Sequence, residues 1–301
     1  MKKIYPIHDT SCTDSSIYEV DMHIAVMMFS TDQTVAPAPL ARMLADRGFE
    51  GMFLPDHSHI PASRRTPYPR GGDLPPEYYR THDMFVGLAA ATTAAPGLTI
   101  GTGVAVVPQH DPFYLAKAVA SLDQLSGGRM VFGIGFGWNS DEITDHGVPF
   151  TQRREVTREK MLAVRSLWTE ELASFAGEHV QFGPTYMWPK PLQQPGPPVV
   201  VGGAAGPKLF RHIAEYADGW APIGPRTIRD GLPDLQRAFE AAGRDPKTIV
   251  LHAFDPRTEP SVVEYYASLG VERLVINIQP LGPDHLERRL DEMAGLNALV
   301  A

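Results

Sequence analysis

The amino-acid sequence predicts an α/β fold, a TIM (β/α)8 barrel, and two observations carry this prediction. The first is a series of short apolar segments, several without any polar residue, as is typical of strands buried on both faces of a parallel sheet. The second is that helical patterns alternate with these segments, so that about eight βα units share roughly 280 residues, the usual count and length of such a barrel. A doubly wound sheet usually has fewer strands. The strand candidates are residues 23–29, 51–55, 98–107, 129–137, 198–203, 219–223, 248–254 and 273–278.

Glycines mark the ends of several predicted helices. The pattern APLARMLADRG ends on Gly48, and PFYLAKAVASLDQLSGG ends on Gly127 and Gly128. Glycine suits these positions because it readily takes the left-handed conformation that terminates a helix. Two segments are longer than ordinary barrel loops: residues 55–80 follow the second strand, and residues 171–197 precede the fifth. The second of these is expected to contain a small hairpin.

The composition is that of an ordinary globular protein, with 43% hydrophobic and 21% charged residues. No apolar run reaches the ~20 residues that a membrane-spanning helix needs. The net charge of −8 argues against a nucleic-acid or acidic-membrane partner, although backbone amides can still bind an anionic cofactor. Residues 1–21 are expected to be a polar N-terminal extension or an expression leader, and residues 22–301 the barrel. Cys12, the only cysteine, lies in the extension, which excludes an intramolecular disulfide and predicts a cytoplasmic setting.

Asp56 and His57, directly after the second strand, are the acid–base candidates. Active sites of TIM barrels lie at the C-terminal ends of the strands, and a histidine can both donate and accept a proton near neutrality. An isolated Asp-His pair in a loop more often caps a turn, so its place at the barrel mouth is what favours catalysis. His59 lies nearby, but two histidines and one aspartate are too small a set to indicate a metal site, and no metal is predicted.

Two glycine-containing segments are candidates for binding a phosphate. The first, GIGFGW, follows the fourth strand but lacks the G-x-G-x-x-G pattern of dinucleotide-binding proteins, because Trp138 occupies the position of the third glycine. The acidic residues about twenty positions later lie inside a charged helix instead of ending a strand. The second, GGAAG at residues 202–206, either binds a phosphate through its amides or is simply a tight βα turn. The segment alone leaves both interpretations open.

Four segments carry a family resemblance, and they occur along the chain in this order: GFEGMFLPDH, DPFYLAKAVASLDQLSGGRMVFGIGFGWNSDE, PVVVGGAAGPKLFRHIAEYADGW and LGVERLVI. Together they resemble the bacterial luciferase-like superfamily, and within it the oxidoreductases that use the deazaflavin coenzyme F420. The resemblance runs from about Met22 to near residue 290, and it implies a TIM barrel. It also implies that Asp56 and His57 lie beside the coenzyme. His57 would donate or accept a proton, and Asp56 would orient it or hold the pyrimidine edge of the ring.

The resemblance extends to the residues that would surround the cofactor. It implies a non-prolyl cis peptide bond between Gly103 and Val104, behind the ring, and a phosphate held at the turn after the fifth strand. Ala205 stands where many relatives have serine, and His110 where they often have arginine; both departures favour F420 over FMN. The predicted cofactor-binding residues besides Asp56 are Gly103, Val104, Gly135, Phe136, Gly137, Trp138, Gly202, Gly203 and Ala204.

The resulting functional hypothesis is an F420-dependent oxidoreductase that transfers a hydride between the deazaflavin C5 and a small organic substrate. Two alternatives are an FMN-dependent monooxygenase that uses O₂ and a flavin- or ligand-binding barrel without catalysis. A bacterial homodimer is expected, because the family often dimerises through helices near strands two and three. The long loop and the later insertion would cover the substrate. The candidate substrate contacts are Tyr68, Tyr78, Tyr79, Trp188 and His252, although a histidine on an apolar strand is more often a core residue.

Overall fold

The computed structural model describes residues 21–222, 224–255 and 257–300, and it contains all eight predicted strands. The strands are β1 (His23–Met28), β2 (Gly51–Leu54), β3 (Thr99–Thr102), β4 (Ala105–Val106), β5 (Met130–Gly135), β6 (Ala173–Ala176), β7 (Gln181–Thr185), β8 (Val199–Gly202), β9 (Gly219–Ala221), β10 (Val250–Asp255) and β11 (Arg273–Ile278). In the sheet order, β3, β2, β1, β11, β10, β9, β8, β5 and β4 are successive neighbours, and β3 also pairs with β5. This last pairing closes the sheet into the expected TIM barrel.

The helices cover the outside of the barrel, and most of them begin at a proline. The fixed φ of proline suits the first helical position, where its missing N–H is not needed. The third helix ends as the sequence predicts, because Gly127 follows it in the left-handed conformation, with a φ of 66°. The helices are α1 (Pro37–Ala45), α2 (Met84–Ala94), α3 (Pro112–Ser126), α4 (Ser140–Asp145), α5 (Arg153–Thr169), α6 (Pro207–Tyr216), α7 (Pro225–Ala241), α8 (Pro260–Ser268) and α9 (Pro283–Ala294).

The third predicted strand is divided in two. β3 and β4 are separated by Gly103 and Val104, and the peptide bond between these residues is cis. β3 pairs with the first part of β5, and β4 with its second part, both in parallel. Because both pieces remain paired with the same strand, the interruption does not open the barrel.

A cluster of apolar side chains fills the barrel interior, and a larger core lies between the strands and the surrounding helices. Towards the N-terminal ends of the strands, the Arg273 guanidinium donates to the Glu50 carboxylate and to His252 Nε2, at 2.8 Å in each case. Burial lowers the pKa of His252. This end is therefore occupied by a packed ionic network. The interior cluster consists of Ala25, Met27, Phe53, Val131, Val200, Ala221 and Val275.

The insertion before β8 contains the predicted hairpin, in which β6 and β7 pair in antiparallel fashion. Glu159 of α5 fixes its turn by accepting hydrogen bonds from the amides of residues 178, 179 and 180 at 2.6–3.0 Å. The predicted extension, residues 1–21, lies outside the described residues except for Asp21, and Cys12 lies outside them too. Among the helices of residues 21–222, 224–255 and 257–300, none has the length and apolar character needed to cross a membrane.

Candidate active site

A cavity of about 630 Å³ lies at the C-terminal ends of the barrel strands, where the sequence places the candidate chemistry. Its walls come from the residues that follow β2, β3, β5 and β8, together with side chains of β1, β10 and β11. The structure thus brings together residues that are far apart in the chain. The predicted site residues that line this cavity are Asp56, His57, Tyr78, Gly103, Val104, Gly135, Phe136, Gly137, Trp138, Gly202, Gly203 and Ala204.

His57 is held from behind by a buried carboxylate. Its Nδ1 lies 3.0 Å from both carboxylate oxygens of Glu142, which belongs to α4. The side chains are only 7% and 2% exposed, so solvent does not compete for this contact. A carboxylate can only accept, so the arrangement favours the tautomer with a proton on Nδ1. Nε2 is then the nitrogen left to exchange a proton in the cavity.

Asp56 has a different partner, His110, from the turn that follows β4. Asp56 Oδ2 accepts from His110 Nε2 at 2.6 Å and from the Val106 amide at 2.8 Å. Burial alone would raise the pKa of Asp56, but these hydrogen bonds and the histidine charge hold it below its ordinary value. Burial likewise opposes the charge on His110, yet Asp56 raises the pKa of His110 above its ordinary value. Asp56 is therefore an ionised acceptor at neutral pH.

Aromatic rings form the wall above His57. The Tyr78 ring centroid lies 4.7 Å from that of Phe29, 5.1 Å from that of His57 and 6.2 Å from that of Trp138. Tyr68 packs on Tyr78 and Trp138 from outside the cavity, at 5.4 and 6.1 Å between centroids. Of the tyrosines predicted to contact the substrate, Tyr78 thus lines the cavity and Tyr68 supports it from outside. Such rings offer a large apolar surface at a low cost in conformational entropy.

The cavity floor is shaped by glycines that keep side chains away from it. A Cβ on Gly103 would stand 2.5 Å from Met27 Sδ, and one on Gly135 would stand 2.8 Å from Val104 Cγ2. Gly137 has a φ of 75°, a conformation that strongly favours glycine. At Gly103, Gly135 and Gly137 the cavity is therefore lined by backbone alone.

Two arginines line the cavity beside the segment that follows β5, and the sequence interpretation did not include them. Arg153 donates to the carbonyls of Gly137 and Phe150, at 3.2 and 2.7 Å. The Arg154 guanidinium lies 4.7 Å from the ring centroid of Phe136. Both belong to the first turn of α5, which the sequence presents only as part of a charged helix. Their guanidinium groups bring positive charge to this side of the cavity.

Besides Tyr68, the structure places three further predicted substrate contacts outside this cavity's lining. Tyr79 is 57% exposed and Trp188 is 58% exposed, on the surface. Trp188 lies in the segment after the hairpin, where its carbonyl accepts a hydrogen bond from Lys117. His252 is buried in the ionic network with Arg273. His59 also stands apart from His57, because its Nε2 contacts Asp145 at 3.1 Å.

Similarity to known proteins agrees with this architecture. The family model described as luciferase-like monooxygenase matches residues 32–262. An uncharacterized protein of Mycobacterium tuberculosis strain H37Rv is 41% identical over 278 residues, covering 91% of this chain and 98% of that protein. The F420-dependent hydroxymycolic acid dehydrogenase of the same organism is 29% identical over 228 residues, which is 73% of this chain and 57% of that protein.

Solved structures resemble the barrel as a whole. The F420-dependent secondary alcohol dehydrogenase in complex with an F420–acetone adduct has a TM-score of 0.72 at 16% identity, covering 93% of this chain and 99% of that chain. The monooxygenase RslO1 from Streptomyces bottropensis has a TM-score of 0.71 at 19% identity, covering 90% and 97%. At such identities the structures show the shared fold alone. With the family match and the relative at 41% identity, they lead to one conclusion: the chain belongs to the luciferase-like monooxygenase family.

Proposed function

We propose that this protein is an F420-dependent oxidoreductase that acts on a small organic substrate in the cytoplasm. The observation that carries the proposal is the presence, in one cavity, of a glycine-lined floor, two arginines and a histidine whose ring is held by a buried carboxylate. Relatives named as F420-dependent dehydrogenases on the same fold support the choice of coenzyme. When bound, F420 supplies the two-electron chemistry by exchanging a hydride at C5 of its deazaflavin ring.

The residues present fit such a coenzyme. Gly103, Gly135 and Gly137 present backbone without a side chain to the cavity, and a flat ring can lie against such a surface. Arg153 and Arg154 offer positive charge, and the turn at 202–204 offers backbone amides, for the phosphate of the coenzyme. Ala205 contributes no hydroxyl there, so a phosphate would depend on amides and arginines. We assign Gly103, Val104, Gly135–Trp138 and Gly202–Ala204 to the coenzyme site on this basis.

In the proposed reaction His57 moves the proton and Glu142 keeps its ring in place. With Nδ1 held by Glu142, the Nε2 atom of His57 can give a proton to substrate oxygen or remove one from it. Asp56 lies beside His57, and its ionised carboxylate is held by His110 and Val106. It is therefore placed to accept a hydrogen bond from the coenzyme ring or to orient the substrate. Tyr78, Phe29 and Trp138 exclude water from one side.

A titration with both cofactors tests the coenzyme assignment. The intrinsic fluorescence of the full chain is followed while F420 or FMN is added, and we expect saturable binding of F420 with a much weaker response to FMN. Arg154→Met should weaken F420 binding about tenfold, because it removes one charge-assisted contact. Arg158→Met is the matched control, since Arg158 lies one turn along α5 and pairs with Glu215 on the surface. Tight FMN binding without an F420 response would instead favour the FMN-dependent monooxygenase.

A second measurement separates an enzyme from a barrel that only binds a flavin. His57→Ala should retain F420 binding, because His57 lines the cavity without occupying the arginine end. Its turnover on a panel of small alcohols and carbonyl compounds should fall about 10²- to 10⁴-fold, the usual contribution of a general acid or base. If wild type and variant bind F420 equally and neither turns over any substrate of the panel, the catalytic proposal fails.

A further inference from the structure

A third arginine, Arg70, lines the cavity at the barrel mouth. It belongs to the long loop at 55–80, whereas Arg153 and Arg154 belong to α5. Those two arginines are assigned above to the phosphate of the coenzyme. Arg70 has no part in that assignment or in the proposed proton transfer. The residue is exposed, so a molecule that enters the cavity from solvent can reach it.

The backbone of Arg70 is held by a tight turn beside the aromatic wall. The Gly71 amide donates to the Tyr68 carbonyl at 2.9 Å, which closes a turn with Pro69 and Arg70 at its central positions. Proline at the first central position and glycine directly after the second are favoured in the commonest type of turn. The Tyr68 ring packs on that of Tyr78, with 5.4 Å between their centroids. The turn therefore fixes the point from which the Arg70 side chain extends.

The guanidinium group of Arg70 is left without a protein partner. Within the part of the chain that the structure describes, it makes no hydrogen bond, ion pair or contact with an aromatic ring. Two neighbouring arginines are paired outside the cavity, Arg65 with Asp141 and Arg80 with Asp32. Although the chain has 35 acidic residues and a net charge of −8, none of the described ones neutralises this cation of the cavity.

The acidic groups around the cavity do not compete for Arg70. Among the described lining residues, Asp56 is the single carboxylate, and it already accepts hydrogen bonds from His110 and from a backbone amide. Asp73 and Glu77 are close to Arg70 in sequence, but they neither line the cavity nor form an ion pair with it. A guanidinium beside an aromatic wall and without a carboxylate of its own suits an anionic ligand.

Arg70 acts on the side of the cavity where the proposed proton carrier lies. Burial raises the pKa of Tyr78, and the positive charge of Arg70 opposes this rise, so the guanidinium is near enough to act electrostatically on the phenol. The Tyr78 ring centroid lies 5.1 Å from that of His57. A small molecule that contacts His57 and Tyr78 can therefore extend an anionic group towards Arg70.

We propose that the substrate carries a carboxylate and that Arg70 binds it, which makes Arg70 a determinant of specificity. The proposal rests on the function proposed above and names its substrate class, a small alcohol that also bears a carboxylate, with the corresponding carbonyl acid as product. In the oxidation, the carbinol carbon loses a hydride to the coenzyme and the hydroxyl loses a proton to Nε2 of His57. The carboxylate is unchanged, and the planar guanidinium donates two parallel hydrogen bonds to it.

Isothermal titration of the full chain without coenzyme tests the anion site by itself. The probes are lactate, 3-hydroxybutyrate and 5-hydroxyhexanoate, each compared with its amide, because the two members of a pair have the same shape and differ in charge. The three lengths cover different spans between His57 and Arg70. We expect the acid that fits this span to bind about tenfold more tightly than its amide, and its binding to weaken as potassium chloride is added.

Variants locate the bound acid. Arg70→Met should weaken binding of the acid about tenfold, and Arg70→Lys should keep part of it, because lysine retains the charge without the planar fork. Arg65→Met is the matched control, since Arg65 belongs to the same loop and pairs with Asp141 outside the cavity. Arg154→Met shows whether the acid occupies the phosphate site of the coenzyme instead. Thermal unfolding of each variant establishes that the chain is folded.

Kinetics with F420 present provide the second readout. The ratio of kcat/KM for 3-hydroxybutyrate to that for 2-butanol should fall about tenfold in Arg70→Met. The change should appear chiefly in KM, because a contact remote from the reacting carbon stabilises the bound substrate and the transition state alike.

Three results would overturn the proposal. The first is that no acid binds more tightly than its amide. The second is acid binding that Arg70→Met leaves at the wild-type level, or that Arg154→Met weakens and Arg70→Met does not. The third is a loss of F420 affinity in Arg70→Met as large as in Arg154→Met, because Arg70 then belongs to the coenzyme site.

The titrations without coenzyme separate this proposal from the proposed function. Acids that bind through Arg70 in a chain that does not respond to F420 would support the anion site and contradict the coenzyme assignment. Saturable F420 binding without any preference for acids would support the coenzyme assignment and contradict the role of Arg70.

Discussion

At the scale of single residues, Asp56 and His57 are neighbours in sequence whose side chains are held by different elements. His57 contacts Glu142 of α4, whereas Asp56 contacts His110 and the amide of Val106. Each group is paired with a partner that suits its task. A carboxylate that only accepts fixes the ring of the proton carrier, and hydrogen bonds from His110 and the Val106 amide keep Asp56 ionised. The two side chains can therefore act separately despite their adjacency.

The Asp56–His110 pair predicts a specific dependence of stability on pH. The lowered pKa of Asp56 stabilises the fold above about pH 4, and this contribution is lost as pH falls through the folded-state pKa. The raised pKa of His110 gives stability that is complete below about pH 6.5 and is lost as pH rises through its folded-state pKa. His110→Ala should therefore cost most, about 1–3 kcal/mol, between pH 5 and 6, and less at higher pH.

Urea unfolding of wild type and His110→Ala from pH 5 to pH 9 measures this difference. His285→Ala, which removes an exposed histidine from α9, is the control and should show no comparable trend. A difference in unfolding free energy that stays constant or grows with pH would contradict the assigned pair.

At the scale of elements, apolar runs and glycine stops were sufficient to predict the barrel strands, but two features escaped them. The sequence of α2, MFVGLAAATTA, predicts no helix, because it has no polar face and therefore no helical period in its hydrophobicity. In α7 the sequence predicts a helix only for DLQRAFEAAGR, whereas the helix begins at Pro225, because Pro233 lies inside it and proline ordinarily argues against a helix interior. The insertion hairpin was predicted, since its turn residues and apolar strands are local signals.

Gly133 in β5 is the residue at which strand packing is most demanding. A Cβ there would lie far inside van der Waals contact with the carbonyl oxygen of Thr102, whose hydroxyl in turn donates to the Gly133 carbonyl at 2.6 Å. Backbone in a closed barrel cannot move aside as a flexible side chain can. Gly133→Ala should thus lower the free energy of unfolding by about 1–3 kcal/mol or more.

Chemical denaturation compares this variant with Gly183→Ala. Gly183 lies in β7 with nothing within 4 Å of its added Cβ, so the same methyl group should change stability very little. Equal stability of the two variants would show that the seam between β3 and β5 is looser than the structure indicates.

At the scale of the whole molecule, the sequence predicts the site residues that directly follow strands. It does not predict the side-chain contacts that the fold makes between distant positions. Asp56, His57 and the glycine segments stand at strand ends, so the barrel rule alone brings them to one mouth. The contact between His57 and Glu142 joins positions 85 residues apart, and Glu142 by itself is also an ordinary charge in the first turn of a helix. For the same reason, the sequence does not indicate that Arg154 lines the cavity. Long-range pairing depends on loop geometry, which a single sequence does not encode in any local pattern.

The outer surface of the barrel carries an exposed face that suits a second copy of the chain. Tyr114 and Leu125 on α3 are 80% and 64% exposed, and their spacing of eleven residues places them on the same side of the helix. Val86 on the adjacent α2 is 70% exposed. Ala90 and Thr93 follow Val86 at helical spacing and are exposed as well. Large apolar side chains beside small ones allow two helix pairs to approach closely.

We therefore expect a homodimer assembled through α2 and α3, the arrangement that the resemblance implies. Light scattering after gel filtration should give twice the chain mass of 33.0 kDa. Combining Val86→Glu with Tyr114→Glu places charges at the centre of the face and should shift the protein to the monomer, because an unpaired charge buried in an interface is strongly unfavourable. Tyr186→Glu is the control, since Tyr186 is 71% exposed beyond the hairpin. A wild-type chain that is monomeric at micromolar concentration, or a dimer that survives both charges, would rule out this interface.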